Sequence, residues 1–116
     1  MSNLREKIKN IDDIKKEILD IPEWECSIEI RSMTAKQRAN ILDKVTNEGG
    51  SIDNDLFFSH MIVASCFDSE TGELIFDMDD ANWIMDKSSG PIEKLMSNIM
   101  RISGLNKNSV EEAEKN

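Results

Sequence analysis

The sequence predicts an α+β fold that is mostly α-helical, with five to six helices and a small two-stranded sheet. Three observations predict it. Apolar and polar residues alternate from Trp24 to Arg31, the period of a strand with one buried face. Several other stretches place apolar residues three and four apart and are bounded by capping residues, the signature of amphipathic helices. The chain has 116 residues, 39% of them apolar. That suffices for one core burying roughly two-thirds of the unfolded surface without a disulfide or metal. Three parts are expected: an N-terminal amphipathic helix over residues 1–20, a core α+β domain over 21–105 and an acidic C-terminal tail helix over 106–116.

Leu4, Ile8, Ile11, Ile14 and Ile18 fall on one helical stripe, and Pro22 ends that first helix. In the strand that follows, Trp24, Cys26, Ile28 and Ile30 share the inward face. Thr34 with Gln37 forms a capping box for a second helix that turns Ala35, Ala39, Leu42 and Val45 inward and stops at Gly49-Gly50. Asp53 or Asn54 caps a third helix running to Phe67, apolar almost all round and so expected at the centre of the core. Asp68 to Gly72 is a turn cluster, and Glu73 to Phe76 is expected to be the strand that pairs with residues 24–31. Asp77 with Asp80 opens a helix containing Ala81, Trp83, Ile84 and Met85. Ser88-Ser89-Gly90-Pro91 starts another, with Ile92, Leu95, Met96, Ile99 and Ile102 inward and Gly104 as its left-handed cap. Ser109 with Glu112 is a capping box for the tail helix.

Composition excludes several functions. With 23 acidic against 14 basic residues and a net charge of -9, the chain lacks the positive field that nucleic-acid binding needs. The start is charged from Arg5 and has no apolar h-region, and the longest uncharged stretch, Leu56 to Phe67, is too short for a membrane span. A cytoplasmic protein is expected. Cys26 and Cys66 lie in strand-like and helix-like apolar runs, the setting of buried reduced thiols. The single histidine, His60, sits inside an apolar run and reads as a partly buried core or interface residue rather than a catalyst. No phosphate loop, nucleophile elbow or paired zinc ligands occur, and no enzyme, cofactor or metal is expected. The segment from Asp68 to Asp79 imitates a calcium loop but fails in register, with Glu73 where the glycine is required.

Two features remain for function. From Thr46 to Asp86 there are ten acidic residues and no Lys or Arg. This is a solvated acidic face, or the contact surface of an inhibitor that mimics nucleic acid. The last apolar stripe is methionine-rich, which suits adaptable contacts as well as core packing.

Several segments together resemble the tail assembly chaperones of long-tailed bacteriophages and prophages of Gram-positive bacteria. They are Ile21-Pro22-Glu23-Trp24, Ile28-Glu29-Ile30-Arg31 with Met33-Thr34-Ala35, Thr71 to Phe76, Asp80-Ala81-Asn82-Trp83, Lys87 to Ile92, Ser103-Gly104-Leu105 and the acidic end from Val110. The resemblance implies a non-enzymatic protein of the host cytoplasm. It implies binding to the aggregation-prone tape measure protein, keeping it soluble, and help in recruiting major tail protein. The partner-binding candidates are Trp83, Ile84, Leu95, Met96, Ile99 and Met100, too many apolar side chains for so small a core and so available in part to a tape measure helix. The nucleic-acid-mimicking inhibitor, or another small adaptor, is the alternative. The first stripe lies outside the resemblance; it packs on the domain or joins copies into a homo-oligomer, with the former favoured.

Overall fold

The computed structural model describes residues 3–105. Its elements run α1 (Leu4–Asn10), β1 (Lys16–Ile21), β2 (Cys26–Arg31), α2 (Ala35–Val45), α3 (Asn54–Ser65), β3 (Cys66–Asp68) and α4 (Ser89–Ile102), with short 3₁₀ turns at Pro22–Trp24, Met78–Asn82 and Ile84–Asp86. The fold is α+β, but the expected count is corrected. Among the described residues there are four α-helices and a three-stranded antiparallel sheet in the order β1-β2-β3. The tail helix expected over 106–116 lies outside the described residues.

The first correction is at the N-terminus, where the expected helix through Leu19 ends at Asn10 and residues 16–21 become an edge strand. Asp12 is the physical reason. Its Oδ1 accepts the Ile14 N–H at 3.1 Å, a local bond that competes with the helical ladder. Lys15 N–H then donates to Ser32 Oγ at 2.9 Å, and Lys15 C=O accepts from Ser32 N–H, so the chain is already held to the end of β2. β1 pairs with β2 from Lys16↔Arg31 to Ile21↔Cys26. Leu19 and Ile21 point inward beside Ile28 and Ile30, while Ile18 points out.

The hairpin between them turns through Pro22–Trp24 and Glu25, which takes the left-handed conformation at φ 53°. Trp24 is therefore in the turn, not the strand. Cys26 shares the inward face of β2 but sits at the hairpin mouth beyond the helices' cover, so it is exposed, contrary to the expected burial.

The second partner of β2 is β3, not Glu73 to Phe76. Cys66, Phe67 and Asp68 follow α3 without a linker and pair with Ile30, Glu29 and Ile28. A strand of three residues is too short to announce itself by period. Asp68 then accepts the Glu70 and Thr71 N–H groups, Gly72 turns at φ 77°, and Leu74 meets Phe67 only as an isolated bridge. The turn expected at Asp68 to Gly72 is present.

Thr34 and Gln37 form the expected reciprocal capping box on α2. The buried side of α2 is Ile41 and Val45 with Leu42 beside them, whereas Ala35 and Ala39 are exposed; the helix closes at Thr46, ahead of Gly49-Gly50. Asp53 caps α3, whose Phe57, Met61, Ile62 and Val63 are all buried. Asp77 and Asp80 also make their capping box, but the segment they open is 3₁₀, with bonds from Asp80 N–H to Asp77 C=O and from Trp83 N–H to Asp80 C=O. Aspartate and asparagine are poor in helix interiors, and this run holds several.

Helix α4 forms where expected, but Met96, expected inward with the stripe, is half-buried at the helix flank. Ile92, Leu95, Ile99 and Ile102 are buried, and Gly104 closes it at φ 73°. It packs on α3 and on the inner face of β1 and β2. From its outer side Lys94 Nζ donates to the Asp20 carbonyl, and Arg101 bonds Glu17 at 2.8 Å, so the free edge of β1 is partly closed.

Truncation separates core from periphery. Leu95→Ala, at 0% exposure, is expected to lower unfolding free energy by about 2–5 kcal/mol in urea titrations, whereas Ile8→Ala changes it by less than about 0.5 kcal/mol.

Candidate functional site

An open apolar groove of about 400 Å³ lies between α3 and α4. Its floor and walls are Phe58 from α3, Met96 and Met100 from α4, and Leu105; Glu93, Ser97 and Arg101 form the polar rim. Each position has a local cause. α4 turns Leu95 and Ile99 into the core, which places Met96 and Met100 about a quarter turn round, at the helix flank. Phe58 is half-buried and meets Phe57 edge to face at 5.6 Å, so its ring is fixed against the core. Leu105 arrives because Gly104 takes a left-handed turn and the Leu105 N–H bonds back to the Met100 carbonyl at 2.7 Å.

The sequence-predicted partner residues divide into three. Met96 and Met100 line the groove. Ile84, Leu95 and Ile99 are buried to 1% or less and hold the core beneath it, so in this fold they present no surface to a partner. Trp83 lies apart, 41% exposed, with its Nε1 donating to Asp80 at 2.8 Å, its ring edge-on to Phe76 and the Lys87 ammonium 5.7 Å from its centre. Phe58 and Leu105 were not singled out from the sequence. Phe58 belongs to a helix apolar all round, where no periodicity distinguishes the open side, and Leu105 depends on a backbone turn. Flexible thioethers on one wall and an aromatic ring on the other suit an apolar helix whose side chains vary in shape.

Reactive groups are not gathered at the groove. His60 lies on α3, half-buried, with Nδ1 buried and without a hydrogen-bond partner among the described residues. Burial holds its pKa below the usual imidazole value, and the Lys44 ammonium adds to the shift. Cys66, on the buried face of β3, has its thiol pushed up to about 12 by burial and so carries no thiolate near neutrality. Glu17 is held below the usual carboxylate range by its hydrogen bond with Arg101. Among the described residues no group of three or more His, Cys, Asp or Glu is placed to hold a metal, and no helix is long and apolar enough to cross a membrane.

Two measurements check these environments. The unfolded chain binds the His60 proton more readily than the folded one. Stability from neutral His60 is therefore complete above its unfolded value of 6.5 and lost as pH falls through its lower folded value. Between about pH 7 and about pH 5, wild type is expected to lose more thermal stability than His60→Gln. Native protein treated with a thiol reagent is expected to modify at exposed Cys26 rapidly and at buried Cys66 only on unfolding, read by peptide mass.

No protein-family model matches the chain, and no curated protein sequence does either. Among solved structures the fold is similar to that of the tail assembly chaperone of bacteriophage HK97, with a TM-score of 0.57 and 12% sequence identity. The match covers 87% of this chain and 98% of the HK97 chain. The chain thus shares the fold of a phage tail assembly chaperone.

Proposed function

We propose that the protein is a tail assembly chaperone of a long-tailed phage or prophage. In this reading it binds tape measure protein through the groove between α3 and α4, keeps it soluble and helps recruit major tail protein. The observation that carries the reading is the fold shared with the HK97 chaperone over 98% of that chain. Two features agree with it. The groove is apolar and open, walled by methionine and phenylalanine, with Glu93, Ser97 and Arg101 at its rim. The -9 charge gives a body that remains dispersed while it holds an aggregation-prone segment.

The mechanism in this reading is non-enzymatic, and the open apolar groove supports it. An amphipathic segment of tape measure protein lays its apolar side chains between Phe58 and the Met96–Met100 wall, removing them from water and from each other. Major tail protein then displaces the chaperone as it polymerises along the segment, so the contact must be adaptable and reversible rather than tight. The setting is the cytoplasm of a Gram-positive host, as the sequence resemblance implies. A second copy of the chain is a further partner, through a different surface from the groove.

The test is co-expression with tape measure fragments. Met96→Glu, on the groove wall, is expected to reduce soluble tape measure fragment several-fold, while Glu48→Lys with Asp55→Lys, both exposed on the acidic stretch, leaves it unchanged; circular dichroism checks each fold. Binding through the groove is expected to change little between low and physiological salt, because it is an apolar contact. Loss in the charge-reversed variant alone, with steep salt dependence, overturns the groove reading and favours the acidic face of a nucleic-acid mimic.

A further inference from the structure

Strand β2 is covered unequally on its two sides. β1 pairs with all of it, from Cys26 to Arg31, whereas β3 pairs only with Ile28, Glu29 and Ile30. Among the described residues no strand continues the second ladder past Asp68, whose carboxylate accepts the Glu70 and Thr71 N–H groups and turns the chain away. The direction of the missing bonds follows from the first ladder. Ser32 N–H donates to the Lys15 carbonyl, and antiparallel pairs alternate between bonded and non-bonded. Ile30, Ile28 and Cys26 therefore bond β1, while Glu29 and Ser27 turn their backbone groups the other way. Glu29 meets Phe67 of β3 there, and Ser27 meets no strand among the described residues. Its N–H and C=O form the kind of open edge that an extended chain completes.

An open pocket of about 640 Å³ lies where such a chain would run, within the roughly 300–1,000 Å³ range of ligand sites. Cys26, Ser27 and Ile28 line its β2 side, and Trp24, Ile75 and Phe76 give it apolar and aromatic surface. Trp24 and Phe76 pack against the core, so both rings are held in place. Glu25, Asp68 and Glu70 supply three carboxylates, and no Lys or Arg lines the pocket. A long side chain that ends in a cation satisfies both kinds of surface at once. Its stem lies along Ile75 and the two rings, whose faces also attract the charge, and its head meets the carboxylates. An acidic segment would be repelled by the same three groups.

We infer that this pocket receives an extended, Lys- or Arg-bearing segment of a partner protein, bonded to the Ser27 backbone as an added strand. The segment is short, since one residue of β2 offers its groups, and binding needs the backbone bonds and the cation together. The pocket shares no residue with the groove between α3 and α4, so this inference goes beyond the chaperone reading and either can fail without the other.

The probe is a blocked hexapeptide of alternating Lys and Val, titrated into the full chain by calorimetry. Saturable binding is expected below about 1 mM at low salt, weakening several-fold at about 0.15 M salt because the three carboxylates are exposed. Cys26 reports the place of binding, since it is exposed and lines the pocket while Cys66 is buried. Its modification by a thiol reagent is expected to slow several-fold at saturating peptide, and so is amide exchange of the Ser27 N–H, read by NMR. Glu25→Asn with Glu70→Gln removes two charges and keeps at position 25 a residue that tolerates the left-handed backbone. This variant is expected to bind about tenfold more weakly with unchanged circular dichroism, whereas Met96→Glu binds as wild type. The fully N-methylated peptide, which keeps the charges and donates no backbone bond, is also expected to bind about tenfold more weakly. Absence of saturable binding overturns the inference, as does binding that leaves Cys26 and Ser27 unprotected. Equal binding of the N-methylated peptide, or of one alternating Glu and Val, overturns it too. So does loss in Met96→Glu but not in the carboxylate variant, which places the peptide in the groove.

Discussion

Helix α3 must be covered on nearly every side, and the rest of the fold follows from covering it. Phe57, Met61, Ile62 and Val63 are buried around most of its circumference, which no single partner element can achieve. α2 takes one flank, α4 another and the 3₁₀ turns after Asp77 a third, while β3 grows directly from its last turn. Each covering element has only one apolar face, and each is therefore fixed in rotation by what it must give to α3. The sheet is tied in through β3 and through α4, which packs on α3 and on β1 and β2 at once.

The same requirement produces the groove. α4 commits Leu95 and Ile99 to the core, and a helix advances about 100° per residue, so Met96 and Met100 must emerge at its flank. α3 meanwhile is apolar on that side too and leaves Phe58 half-covered. The gap persists because nothing from α2 reaches it, and Leu105 closes only its end. An apolar groove is thus the residue of an imperfectly covered central helix, which is why the side chains lining it look like core in the sequence.

What could be read from the sequence follows the strength of local signals. The capping boxes at Thr34 and Asp77, the Asp53 cap, the central position of α3 and the stripe of α4 all depend on short-range chemistry, and all are present. The sheet was misread because its evidence is non-local or short. Ile14 and Ile18 continue a helical spacing begun at Leu4, and only the bonds of Asp12 to Ile14 and Lys15 to Ser32 reveal that the chain has become a strand. β3 is hidden by its length and by following α3 without a turn. Of the candidate site, spacing turns Leu95 and Ile99 inward but turns Met96 inward with them; the place of Met96 at the flank and the burial of Ile84 depend on packing partners that spacing does not name.

Charge gives both apolar surfaces a common logic. At -9, two copies of the chain repel at a distance, as does any other acidic protein, so apolar contact alone is a weak route to association between chance partners. Close approach is favoured where basic residues meet the acidic stretch between Thr46 and Asp86. α1 carries Arg5, Lys7 and Lys9 beside an exposed stripe, and α2 carries Lys36, Arg38 and Lys44. The groove rim, by contrast, carries one Glu93 and one Arg101 and is close to neutral. A segment entering it is selected by its apolar side chains and not by its sign.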